Sequence, residues 1–131
     1  MDFNYGRLRG LTVLIVEDDW LLRQEIFEEL TKADCFILEA STGEYAVTLL
    51  EGDRRIDFLI TDIELAGPMT GWEVAERGRA HRPDIPIVYT SGNTNTAGHQ
   101  VSGSRLLNKP CAMINLLKHC AEIGQSSRPL N

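Results

Sequence analysis

Four short stretches of this sequence end in residues that do chemistry: "LIVEDD" in Glu17, Asp18 and Asp19, "LITD" in Asp62, "IVYTS" in Thr90 and Ser91, and "LLNK" in Lys109. Carboxylates gathered without a cation repel one another, and some would be protonated. A hard divalent ion removes that conflict. Magnesium prefers oxygen ligands, keeps several waters, and is held by one or two carboxylates together with a phosphate. Lysine adds a second positive charge on a flexible stem, and a hydroxyl with nearby backbone N–H groups can donate to phosphoryl oxygens. Such a set suits phosphoryl transfer, in which positioning and charge neutralisation carry most of the catalysis. A carboxylate can itself be the nucleophile and form an acyl phosphate.

These residues are far apart in the chain, so a fold must gather them. "LTVLIV" reads as a buried strand over 11–16 with acids at its tip. Leu22, Ile26, Leu30 and Ala33 recur at helical spacing and predict a helix over Trp20 to Lys32. "CFILEA" is a second strand. "STGE" predicts a capping box with Ser41 as N-cap and Glu44 three residues on, opening a helix that stops near Gly52. "IDFLITD" is a third strand. "TGWE" is a second capping box, opening a helix that ends before Pro83. "IPIVYTS" and "RLLN" are the fourth and fifth strands. Pro110 suits the first turn of a last helix with Met113, Leu116, Leu117 and Cys120 inward and a stop at Gly124.

Five alternations with nearly continuous apolar strands predict an α/β fold: a parallel sheet covered on both faces. Ligands of such sheets sit at the carboxyl ends of the strands. The pattern therefore places Glu17, Asp18, Asp19, Asp62, Thr90, Ser91 and Lys109 on one edge. With strands in the order 2-1-3-4-5, Asp62 ends the central strand and is the best candidate nucleophile.

These motifs resemble the receiver domain of two-component response regulators, over roughly Leu11 to Gly124. "LIVEDD" is similar to the family's acidic pair, "LITDIEL" to its phosphoacceptor strand end, "PIVYTSG" to its switch-hydroxyl strand end, and "NKP" to its lysine–proline pair. The resemblance implies a flavodoxin-like (βα)5 doubly wound sandwich. It implies that Asp62 accepts a phosphoryl group from a phosphohistidine, on a histidine kinase or histidine phosphotransfer protein. It further implies that Asp18 binds Mg2+ directly, Glu17 acts through the metal or its waters, and the Glu64 backbone carbonyl completes the ligands. Lys109 pairs with Asp62, and Ser91, rather than Thr90, is the switch hydroxyl. The Glu64 side chain is expected in solvent or tuning access to the site. Asp19 is expected to be solvated or to cap the following helix.

Three departures stand out. The segment from Ser91 to Lys109 is short for a full fourth helix, and "TSGNTNTAGHQVSG" is rich in Gly, Asn and Thr. A short or mobile helix between about Thr94 and Gln100 is expected, resembling the receiver subgroup with an alanine-threonine-glycine-tyrosine pattern after strand 4. Leu106 stands where many receivers carry a switch aromatic, so signalling would pass through the loop. The "AGPMTG" loop is about one residue longer than usual, resembling receivers attached to hybrid kinases.

At 131 residues and 43% hydrophobic content the chain fits one domain. The expected layout is an N-terminal extension over 1–10, a receiver domain over 11–124 and a tail over 125–131. A net charge of -6 argues against nucleic-acid binding. No apolar run reaches membrane-spanning length, and "MDFNYGRLRG" is not expected to act as a signal peptide. Cys35, Cys111 and Cys120 lack metal spacing and read as reduced core residues of a cytoplasmic protein. His81, His99 and His119 are scattered and read as surface or core residues. The expected function is a phosphoacceptor, not an enzyme, that loses its phosphate slowly by itself and signals to an unknown downstream protein by contact. A receiver excised from a hybrid kinase is an alternative. A flavodoxin-like electron carrier is another, but its phosphate loop should follow strand 1, which here ends in acids. An aspartyl-phosphate phosphohydrolase would want an aspartate where Glu64 stands.

Overall fold

The computed structural model describes residues 8–92, 99–109, 115–118, 120 and 122. Five strands, β1 (Thr12–Val16), β2 (Phe36–Ala40), β3 (Phe58–Asp62), β4 (Ile87–Ser91) and β5 (Arg105–Asn108), form one parallel sheet in the order β2-β1-β3-β4-β5. Helices α1 (Trp20–Lys32), α2 (Gly43–Leu50) and α3 (Gly71–His81) alternate with the strands, and residues 115–118 are helical.

Side chains alternate across each strand, so one strand feeds two cores. Val13, Ile15 and Ile60 pack with Ile26 and Leu30 of α1 and with Leu116 and Leu117. Leu14, Val16 and Leu59 pack on the other face with Leu50 of α2 and Val74 and Ala75 of α3. A sheet covered on both sides needs the continuous apolar runs that the sequence carries. Leu8 is fully buried in the first of these cores. Leu8, inside the stretch expected as an N-terminal extension, thus packs against the sheet's first core.

Local chemistry fixes where the helices begin. The Asp19 carboxylate accepts from the Leu21 and Leu22 N–H groups and caps α1. Thr70 and Glu73 form the expected capping box at α3. The start of α2 differs by one residue from the sequence expectation. Thr42, not Ser41, is the N-cap, and its hydroxyl accepts from the Tyr45 N–H at 3.2 Å. Glu44 then falls one place short of the position from which it could close a box. Gly43 opens the helix because α3 and the loop before it leave it little room: a Cβ there would stand 3.0 Å from Met69 of the loop and from Val74 of α3.

The expected helix between Thr94 and Gln100 lies outside the described residues over 93–98, and His99 and Gln100 are irregular. Pro110, Cys111, Met113, His119, Gly124 and the tail likewise lie outside them.

Candidate functional site

Strands β1, β3, β4 and β5 all end at one edge, and the residues singled out by sequence meet there. Asp62 is the last residue of β3 and is buried. Its Oδ1 accepts from the Glu64 main-chain N–H at 3.1 Å, and its Oδ2 accepts from Lys109 Nζ at 2.8 Å. The same ammonium donates to Glu17 Oε1 at 3.1 Å. Glu17, just past β1, is buried and accepts from the Asp19 N–H through its other oxygen. Lys109 is placed by the β4–β5 pairing, its main-chain N–H donating to the Ser91 carbonyl at 2.6 Å.

Asp18 is exposed beside this buried pair. Glu17, Asp18 and Asp62 each bring a carboxylate oxygen to within 4.8 Å of the others. One ammonium among three carboxylates leaves negative charge over, at oxygen donors only. That donor set fits a hard dication such as magnesium.

The strain shows in the proton affinities. Burial, opposed in part by the Asp19 N–H and reinforced by the charge of Asp62, pushes Glu17 up to about 7. Burial works against the Lys109 ammonium, but its hydrogen bonds and attraction to Asp62 and Glu17 outweigh that and hold its pKa above the usual value. Because Glu17 holds its proton longer folded than unfolded, its stability contribution is complete below about pH 4.5 and is lost as pH rises through about 7. In chelator-treated buffer, Glu17→Gln should therefore gain about 1 kcal/mol over wild type at pH 8 and little at pH 4.5. Urea midpoints at the two pH values read this, and an equal gain at both would contradict it.

Thr90 and Ser91 are both buried, but as strand neighbours they face opposite sides. Thr90 lies opposite Asp62 in the β3–β4 register. The Ser91 hydroxyl reaches the site rim, where it donates to Glu64 Oε2 at 2.7 Å. The Glu64 side chain also accepts from the Gly92 N–H at 3.2 Å. It is therefore tied to the end of β4 rather than left in solvent, because the turn after Asp62 aims it across that strand.

Two contributors carried no sequence signal. Arg23 of α1 donates to the Glu17 carbonyl at 2.7 Å and to Glu39 at 3.1 Å, pinning the turn that bears the acids. Tyr89 of β4 lies beside Leu106 in register, and its ring is 4.7 Å from Trp72, which in turn is 5.6 Å from His99. The Val101 N–H donates to the Tyr89 hydroxyl at 3.1 Å. An aromatic thus stands on β4, one strand over from the position where Leu106 replaces the family's ring.

A family model described as the response regulator receiver domain matches residues 13–121. The chain belongs to this family. It is a receiver domain of two-component signalling, and the match carries that reading of the fold over the electron-carrier alternative. A receiver protein from Sinorhizobium medicae is similar over 92% of this chain and 99% of its own, with a TM-score of 0.87 and 30% identity. The receiver domain of a sensor histidine kinase from Pseudomonas aeruginosa, with magnesium coordinated in its active-site cleft, superposes with a TM-score of 0.73 at 21% identity. That match covers 86% of this receiver and 98% of the other. A cyclic di-GMP phosphodiesterase of Thermotoga maritima is 34% identical over 86 residues, which are 66% of this chain. This receiver spans only 22% of the length of that curated relative. Among the described residues no helix is long and apolar enough to cross a membrane.

Proposed function

We propose that this receiver takes a phosphoryl group from a phosphohistidine onto Asp62, with Mg2+ bound at the acidic edge. The observation that supports it most directly is the Lys109 ammonium bridging Asp62 and Glu17, beside exposed Asp18. A carboxylate oxygen of Asp62 attacks phosphorus, the bond from phosphorus to the donor imidazole breaks with its electron pair passing to nitrogen, and the ring, already protonated on its other nitrogen, leaves as neutral imidazole. The Lys109 ammonium stays next to the acceptor as charge accumulates on the phosphoryl oxygens. Asp18, Glu17, Asp62 and the Glu64 carbonyl would hold the metal, which supplies a second positive charge for those oxygens. The Asp62 carboxylate and the Ser91 hydroxyl both line this rim, and Ser91 would bond the phosphoryl group once it arrives.

On this reading the receiver body runs over about 11–124 in a cytoplasmic protein, with a histidine kinase or histidine phosphotransfer protein as donor. Its output is a protein contact, and the acyl phosphate hydrolyses slowly without help. The likeness to the receiver domain of a hybrid histidine kinase, at 26% identity with a TM-score of 0.75, supports a place within a hybrid kinase as a second reading, with the same chemistry. The test is incorporation of labelled phosphate from acetyl phosphate with magnesium. The product should be sensitive to hydroxylamine, as an acyl phosphate is, and absence of label from the folded wild-type protein would remove the proposal.

Metal binding has its own readout. Trp20 opens α1 two residues after Asp18 and is 64% exposed. Millimolar magnesium should change its emission, and Asp18→Ala should abolish the change. An unaltered titration in that variant would detach the signal from the acidic edge.

A further inference from the structure

The Glu64 carboxylate stands at this edge outside both the Lys109 contacts and the cluster of Glu17, Asp18 and Asp62, and unlike Asp19 it does not cap a helix. Its main-chain N–H donates to Asp62 Oδ1, which fixes the turn, and its carboxylate spans to the end of β4. There it takes two donors at once. The Ser91 hydroxyl donates to Oε2 at 2.7 Å, a short charge-assisted bond, and the Gly92 N–H donates to Oε1 at 3.2 Å. Ser91 is fully buried, whereas Glu64 is exposed, with solvent beside it on the outer side of the rim. Both donors sit one strand away from Asp62, whose register partner is Thr90.

A phosphoryl group on Asp62 would bring about two negative charges and strong acceptor oxygens to the same rim. It would seek the donors that Glu64 holds and would be repelled by the Glu64 carboxylate. We propose that Glu64 is a latch: its carboxylate occupies the Ser91 hydroxyl and the Gly92 amide in the resting protein, and phosphorylation must evict it. The latch raises the barrier to phosphoryl uptake and shortens the life of the acyl phosphate, because the displaced anion competes to return. This rests on the reading of Asp62 as the acceptor.

Two measurements separate the latch from that reading. The first needs no phosphate. In the metal-free protein, Glu64→Ala should speed hydrogen exchange at the Gly92 amide about tenfold by removing a charged acceptor, with Glu64→Gln between it and wild type. Unchanged exchange at Gly92 in both variants overturns the latch, whatever happens at Asp62. The second is the rate of labelling from acetyl phosphate with magnesium. Glu64→Ala should label about tenfold faster than wild type, the value of one charge-assisted hydrogen bond. That gain should shrink to less than about twofold when Ser91→Ala is already present, because no hydroxyl then remains to be released. An undiminished gain in the Ser91→Ala background marks simple charge repulsion and overturns the latch. Labelling that is no faster in Glu64→Ala than in wild type overturns it too. If wild type itself takes no label, the Asp62 reading falls and the competition falls with it, while the Gly92 exchange still reports whether the resting contact forms.

Discussion

Asp62→Asn should fold normally and take no label from acetyl phosphate, a loss of at least about a thousandfold relative to wild type. An amide is no nucleophile toward phosphorus under these conditions, so the reaction loses the atom that forms the new bond. The fold should tolerate the change because asparagine has the shape of aspartate and keeps an acceptor for the Glu64 N–H, which now meets Asp62 Oδ1 at 3.1 Å. The cost falls on Lys109. Its ammonium would lose a partner at 2.8 Å but keep Glu17 at 3.1 Å, and it is only partly enclosed. Removing one of three crowded carboxylates also relieves the repulsion that raises Glu17. Loss and relief oppose each other, so stability should stay within about 1 kcal/mol of wild type in metal-free buffer. Denaturation and labelling on the same preparation check both halves. Full labelling of the folded variant would assign the acceptor to another residue, and a collapse in stability would show that the carboxylate is chiefly a structural partner of Lys109.

What could be read from the chain, and what could not, follows from the range of each interaction. The strands were legible because a sheet buried on both faces demands unbroken apolar runs, and "FLITD" and "IVYTS" are buried throughout. The placing of Asp62 with Lys109 was legible through topology alone: a parallel sheet puts every strand end on one edge, however far apart in sequence. Cap positions were legible only where spacing left one choice. At α3, Thr70 and Glu73 are unambiguous. At α2, Ser41 and Thr42 are both hydroxyls, and the spacing to Glu44 favours the wrong one. Packing of Gly43 against Met69 of the neighbouring loop decides the matter, and that contact has no local trace. Arg23, the Glu64 side chain and the Tyr89–Trp72–His99 stack escaped for the same reason. Each bridges separate elements through one long or planar side chain, with no periodicity to betray it.

Gly71→Ala should be among the most damaging single substitutions in the protein, although it adds one methyl group. Gly71 is the first residue of α3, and its N–H donates to the Ile63 carbonyl at 2.9 Å, so the helix start lies directly on the backbone that follows Asp62. A Cβ at Gly71 would fall inside contact distance of the Asp62 carbonyl oxygen, 2.7 Å from Ile63 Cα and 2.8 Å from the Asp62 carbonyl carbon. All three are main-chain atoms of the Asp62–Ile63 segment, and none is the movable end of a side chain. Either α3 withdraws, opening the core around Val74 and Ala75, or the strand end carrying Asp62 shifts away from Lys109. The expected loss is about 3 kcal/mol or more. Gly67→Ala provides the contrast. Gly67 has φ +94° and nothing within 4 Å of its Cβ, so alanine there meets backbone strain without collision. That costs about 1 kcal/mol. Urea midpoints of the two variants should differ accordingly. The fraction of Gly71→Ala that remains folded should also label at least about tenfold more slowly, because a small misplacement of a nucleophile weakens catalysis steeply. Equal midpoints would mean that the α3 start can move off β3 cheaply, and the close approach would then have no part in holding Asp62 in place.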